Sequence, residues 1–327
     1  MEQRVLGRTE RSVGSVGLGA WQLGADWGEV SEDDALETLN GALAAGVTFI
    51  DTADVYGDGR SEQIIGRLLR ERPGAGLTVA TKMGRRVALD PALYTLDNFR
   101  AWTDRSRGNL GVETLDLVQL HCPPHEVYSS PAVYEALDTL VAEKRIAAYG
   151  VSVETCEQAL TAIAHPGVAT VQIILNAFRL KPLDEVLPAA EKAGVGIIAR
   201  VPLASGLLSG KYDETTAFAE NDHRNYNRHG EAFDVGETFS GVDYQTGLEA
   251  VRRLRPLVPE GVSTAQFALR WILDQTGVSV VIPGARNAAQ ARTNAKAADL
   301  APLPEETQLA VRRVYDELIR DQVHARW

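Results

Sequence analysis

One rhythm limits what this chain can fold into. Short apolar runs alternate with longer amphipathic stretches from Val13 to Ile282, and several of the apolar runs stop abruptly at a polar residue. Val47–Ile50 ends in Asp51, Leu77–Thr81 in Lys82, Asp116–Leu120 in His121, Ile146–Val151 in Ser152 and Gly196–Ala199 in Arg200. An apolar run closed by a polar group reads as a buried strand that surfaces at its C-terminal end. Val13–Leu18, Thr170–Ile174 and Ser279–Ile282 complete a set of eight. The stretches between them carry helical stripes. In Glu32–Ala45 the apolar positions are Ala35, Leu36, Leu39, Ala42 and Leu43, with Ser31 placed to cap the start and Gly46 to stop the end. Ser61–Arg70, Asp97–Gly108, Ala132–Glu143, Glu157–Ala164, Pro182–Ala193, Tyr244–Leu257, Thr264–Gln275, Ala288–Ala298 and Pro304–Ile319 are read the same way. Strand and helix in strict alternation predict a parallel α/β fold. Eight units in 327 residues predict a single-domain (β/α)8 TIM barrel over residues 1–327. The competitor is an open doubly wound sheet, weakened because no G-x-G-x-x-G lies between the first strand and first helix. Lys211–Asp243 breaks the rhythm: it is polar, aperiodic and long, as lids and disordered loops are. Its place after the seventh strand favours a substrate lid.

Charge and composition narrow the partners. Thirty-three basic against 44 acidic residues leave a net charge of −11, which argues against nucleic acid but permits a local pocket for one phosphate. No apolar run is long enough to span a bilayer, and Met1–Arg4 leads into no signal-type segment. Cys122 and Cys156 make no disulfide framework and fit a reducing compartment. The expectation is a cytoplasmic protein, monomeric or weakly homo-oligomeric.

The strand ends form a constellation. In a barrel, Asp51, Lys82 and His121 sit on neighbouring rims, with Tyr56 on the loop past Asp51, and that rim is where barrel enzymes keep their sites. Singly, each has a plainer reading: a cap, a packing aromatic, a solvated charge, a satisfied histidine. Together they form a coherent proton device. A nearby ammonium favours the phenolate and lowers a phenol's pKa, a carboxylate keeps the ammonium charged, and an imidazole orients a carbonyl or shares the proton. No metal is expected: His121 and His125 have no carboxylate cluster beside them. Cys122 lacks a separate base and reads as a buried or idle thiol. Of Trp21, Tyr128 and Trp102, Trp21 is the one placed on the rim to line a pocket.

With those residues in view, the chain resembles the aldo-keto reductase family over nearly its whole length. The carriers are GLGAWQLG at Gly17–Gly24, FIDTADVYGDGRSE at Phe49–Glu62, TK at Thr81–Lys82, LDLVQLHCPP at Leu115–Pro124, YGVS at Tyr149–Ser152, PLASGLLSGK at Pro202–Lys211 and IPGARNAAQARTN at Ile282–Asn294. The resemblance implies a carbonyl reductase that prefers NADPH/NADP over NADH and acts on a small aldehyde, ketone or sugar-like substrate. It implies a catalytic tetrad of Asp51, Tyr56, Lys82 and His121, with Tyr56 the general acid in reduction. It further implies that Ser152 and Gln172 hold the carboxamide and that Gly19, Ala20 and Trp21 line the nicotinamide pocket beside Asp51. The Leu203–Leu208 loop, with Gly206, would pass over the pyrophosphate. Gly284, Arg286, Gln290 and Asn294 would hold the adenosine-phosphate end, where a guanidinium beside a helix N-terminus suits a phosphate. There are two departures. Val153 stands where many members have Asn. Arg200 stands where many stack a tyrosine on the nicotinamide; its guanidinium plane can stack, but its charge should disfavour the oxidised ring. The alternative from the same resemblance is a redox-sensing, cofactor-binding regulatory subunit with little turnover, as the family's potassium channel β subunits suggest. A metal-dependent barrel hydrolase is a third class.

Overall fold

The chain's computed structural model describes residues 1–24 and 30–327. It opens with an antiparallel hairpin, β1 (Gln3–Val5) and β2 (Ser12–Gly14). Eight parallel strands follow in sequence order: β3 (Leu18–Gly19), β4 (Phe49–Asp51), β5 (Thr78–Met83), β6 (Leu117–His121), β7 (Tyr149–Ser152), β8 (Val168–Ile174), β9 (Gly196–Arg200) and β10 (Val278–Val281). Bridges Val16–Val281 and Gly19–Gly284 bring the last strand back to the first, so the ring closes and the barrel expectation holds. The expected first strand divides: Ser12–Gly14 pairs in the hairpin and only Leu18–Gly19 joins the barrel. Gly17, between them, passes too close to Phe49 for a side chain; a Cβ there would lie 2.9 Å from the Phe49 carbonyl oxygen.

Helices pack outside the ring where the stripes predict them: α1 (Glu32–Ala44), α2 (Arg60–Glu71), α3 (Leu96–Leu110), α4 (Pro131–Ala142), α5 (Cys156–Ile163), α6 (Val186–Ala193), α8 (Tyr244–Leu254), α9 (Thr264–Leu273), α10 (Ala288–Ala295) and α11 (Glu305–Val314); a single turn, α7 (His223–Tyr226), forms within Lys211–Asp243, where no stripe predicts one. Local chemistry sets their starts. The Ser31 hydroxyl accepts from the Asp34 N–H, and Thr155 with Gln158 and Ser263 with Gln266 close reciprocal capping boxes. Pro182 lies in a separate 3-10 turn, so the sixth helix starts at Val186 rather than at the proline.

Register makes the barrel two-tiered. Because side chains alternate along a strand, paired residues Asp51 and Ala80, Lys82 and Gln119, His121 and Ser152, and Ser152 and Gln172 share one face. The lower tier is apolar: Phe49, Ala80, Leu117, Ile198 and Val280 pack into a cluster completed by Leu6 and Val13 of the hairpin, all fully buried. The upper tier, at the C-terminal ends of the strands, is polar: Asp51, Lys82, Gln119, His121, Ser152, Gln172 and Arg200. The hairpin thus stops one end and leaves the chemistry at the other.

Candidate active site

β5 delivers Lys82 into the upper tier, where it is almost wholly buried. Its ammonium donates to Asp51 Oδ2 at 2.6 Å, to the Thr52 carbonyl at 2.9 Å and to the Tyr56 phenol oxygen at 3.3 Å. His121 meets the Tyr56 ring edge-on with centroids 6.0 Å apart. The four side chains named from sequence are therefore in one place. The other oxygen of Asp51 accepts from Gln172 Nε2 at 2.7 Å and from Gln119 Nε2 at 3.2 Å. Gln119 is a site residue that sequence reasoning missed. Its signal was present, because it lies two residues before His121 and so shares its face.

Tyr56 is aimed by its loop. Gly57, Asp58 and Gly59 all take positive φ, a run that turns the chain into α2. At Gly57 the chain also brushes Gly24, whose carbonyl oxygen would lie 2.2 Å from a Cβ. Arg105 donates to the Asp54 and Asp58 carbonyls, and Arg86 to the Asp58 carboxylate, which ties the loop down from outside. Trp21 stacks on Tyr56, centroids 6.0 Å apart, which puts its ring on the same rim.

Burial and neighbours set the protonation states. Burial pushes Tyr56 above the ordinary phenol value; Lys82 pulls the other way but does not overcome it. The sequence expectation named the lysine alone, and its direction is outweighed here because desolvation penalises the phenolate more. For Lys82, burial acts to lower the pKa, and Asp51 together with Tyr56 more than offsets it, so the ammonium stays charged. His121 lies well below the ordinary histidine value through burial and the nearby cations Arg85, Lys82 and Arg200. At neutral pH the group is a protonated phenol beside an ammonium and a neutral imidazole, which suits proton donation to an oxygen gaining negative charge.

The residues named for a cofactor line the same rim. Gly19 and Ala20 flank Asp51, the Ala20 N–H donating to the Asp51 carbonyl. Among the described residues the Ser152 hydroxyl faces only the Cys122 thiol, at 3.4 Å, a weak partner, and Gln172 spends its NH2 on Asp51 and Gln119 while its carbonyl oxygen has no partner. His121 Nδ1 is buried without a partner there too. A hydroxyl, an amide oxygen and an imidazole with unused capacity fit a primary carboxamide and a carbonyl. Leu203, Gly206 and Leu208 lie in or beside a turn (Ala204–Ser209) that takes positive φ at Ser205 and Gly206. Gly284 and Asn294 are joined by an Asn294 Nδ2 bond to the Gly284 carbonyl; the Arg286 N–H donates to Gln290 Oε1, and the Arg286 side chain is exposed just before α10.

Arg200 is buried, 8% exposed. It donates to the Val153 carbonyl at 3.0 Å and pairs with Glu237 at 3.4 Å. Glu237 lies in the Lys211–Asp243 segment, which is irregular yet packed: His223 and Phe233 from the same segment pack on Trp21, at 5.4 and 6.0 Å. Glu237 also meets Arg85, itself paired with Glu154. Burial acts to raise Glu237, and the two guanidiniums hold it below the ordinary carboxylate value instead. Neither Arg85 nor Glu237 was legible as a site residue. Cys122 is buried, as its reading required.

Comparisons with known proteins agree with this geometry. The model of the Aldo/keto reductase family matches residues 15–316. Aldo-keto reductase YhdN of Bacillus subtilis is 32% identical over 300 residues, covering 89% of this chain and 86% of the relative. The solved structure of the glycerol dehydrogenase AKR11B4 from Gluconobacter oxydans superposes with a TM-score of 0.79 at 30% identity, over 98% of this chain and 96% of that one. A probable voltage-gated potassium channel subunit beta of Oryza sativa subsp. japonica is 30% identical over 93% of each chain. No helix among the described residues is long and apolar enough to cross a membrane.

Proposed function

The chain belongs to the aldo/keto reductase family and is an NAD(P)H-dependent oxidoreductase, and from that premise we propose that it reduces small aldehydes or ketones with NADPH, Tyr56 supplying the proton. The observation that supports this most is the Lys82–Tyr56–His121 cluster at the polar end of the barrel. A bound reduced nicotinamide supplies the hydride. The chain does the rest. His121, neutral, orients the carbonyl oxygen beside Tyr56. The phenol donates its proton to that oxygen as negative charge develops, and Lys82 steadies the phenolate left behind. Asp51, gripped by Gln119 and Gln172, holds Lys82 in place and charged. Ser152 and Gln172 hold the carboxamide, Leu203–Leu208 covers the pyrophosphate, and Arg286, Gln290 and Asn294 take the adenosine-phosphate end. Lys211–Asp243 serves as the lid that excludes water.

Tyr56→Phe keeps the ring and removes the proton. It should bind NADPH like the parent, by fluorescence titration, and lose turnover by about 10²–10⁴-fold, the usual contribution of a positioned acid. Full activity in this variant would refute the role. The channel-subunit likeness suggests a regulatory reading, which predicts tight NADPH binding with negligible turnover on a broad carbonyl panel.

A further inference from the structure

Two guanidiniums at the mouth have a shared occupant that does not suit them well. Arg85 lies just beyond the end of β5 and Arg200 ends β9, so they come from different sectors of the rim. Between them sits one oxygen, Glu237 Oε1, at 3.4 Å from Arg85 Nη1 and 3.4 Å from Arg200 Nη1. Both contacts are long and single, whereas a guanidinium and a carboxylate can form two short parallel bonds. Arg200 Nε is buried and has no hydrogen-bond partner among the described residues. The carboxylate arrives on an irregular segment, not on the barrel frame. Cys122, Glu154 and Glu237 place ligand atoms within 4.8 Å of one another, but the guanidiniums already supply the positive charge that a metal ion would bring.

We propose that Arg85 and Arg200 form a cradle for a carboxylate carried by the substrate, and that Glu237 fills the cradle until the substrate displaces it. The proposal rests on the reductase reading above and names its substrate class: aldehydes and ketones that also bear a carboxylate. Charge supports the exchange. The departing Glu237 removes one negative charge from the mouth and the arriving acid restores it, so the two cations are never left bare in a site of low dielectric. Glu154, at 3.2 Å, keeps Arg85 in position throughout. Arg85 follows the strand that carries Lys82, and Lys82 touches Tyr56, so an acid anchored there is held at the same mouth as the phenol.

The test uses the full chain with NADPH and a matched pair, 4-carboxybenzaldehyde and its methyl ester. The parent should favour the acid in kcat/KM by about tenfold or more, the worth of one charge-assisted hydrogen bond. Arg85→Gln should lower the acid-to-ester ratio by a similar factor. Glu237→Gln should raise that ratio through a lower KM for the acid, a gain that damaged folding would not produce. Benzoate binding to the NADP complex, followed by tryptophan fluorescence, should weaken in Arg85→Gln and tighten in Glu237→Gln. A parent ratio of one or less, or a ratio unmoved by Arg85→Gln, overturns the proposal. Turnover of the ester alone overturns the proposal and leaves the reductase reading standing; bound NADPH with turnover of neither compound sinks the reductase reading with it.

Discussion

Asp51→Asn probes the pair that anchors the site. Asp51 and Lys82 are 3% and 1% exposed and 2.6 Å apart. Asparagine keeps the shape but turns one acceptor oxygen into an NH2. Whichever way the amide lies, that NH2 faces donors: the Lys82 ammonium on one side, the Gln119 and Gln172 amides on the other. With the NH2 toward Lys82, the ammonium is left with the Thr52 carbonyl and Tyr56; with the oxygen toward it, Lys82 keeps an acceptor but loses the negative charge. Removing one partner of a buried ion pair costs about 3–5 kcal/mol. Unfolding entropy near 2.1 cal/mol/K per residue gives roughly 0.7 kcal/mol/K for a chain of 327 residues, so the melting point should fall by about 6 °C. The ammonium's pKa is held above its usual 10.5, so its share of the pair's stability is present across neutral pH and lost only as pH rises beyond that value. The deficit should therefore appear in full at pH 7 by calorimetry. Asp51→Asn/Lys82→Met removes both charges and should recover at least half of the lost stability while activity stays lost, because Tyr56 then has no cation beside it. A single variant melting within about 1 °C of the parent, or a double variant no more stable than the single, refutes the reasoning.

Three further outcomes are expected. Asp54, with one buried carboxyl oxygen unpartnered among the described residues, is pushed up to about 7 by burial and by Glu62. Its stabilising share is present below pH 4 and lost as pH rises through 7. Asp54→Asn should therefore melt with the parent at pH 4 and exceed it at pH 8.5 by up to roughly 4 kcal/mol; equal melts at pH 8.5 would count against this. Arg200→Tyr should strengthen NADP binding relative to NADPH, and an unchanged affinity ratio by fluorescence titration would reject a role for its charge. Trp327 stacks on Arg179 at 3.7 Å and donates to Asp234 at 3.0 Å. Trp327→Ala should cost about 3–5 kcal/mol and speed proteolysis within Lys211–Asp243; an unchanged cleavage rate would show that the contact does not hold the segment.

Strand and helix alternation carried the barrel because each period reports directly on which face is buried. It placed Asp51, Lys82 and His121 at neighbouring rims, since a charge that ends an apolar run has few other places to go. The same two-residue period pointed to Gln119, which went unread. The hairpin was not legible: Gln3–Val5 is three residues long, and Val13 reads equally well as part of a barrel strand. Arg85 lies past its strand and Glu237 in an aperiodic segment, and no local pattern says where such a segment packs. The direction at Tyr56 was missed for a related reason: a nearby lysine is visible in a motif, whereas the depth of burial that outweighs it belongs to the assembled fold.

The stopper made by Leu6 and Val13 has a kinetic corollary. With its lower tier filled by side chains, the barrel offers a small molecule its upper rim alone. If the nicotinamide reaches down to Asp51, whatever carbonyl compound sits above it blocks the way out. Arrivals and departures then form a stack: the dinucleotide enters first and the alcohol leaves before it.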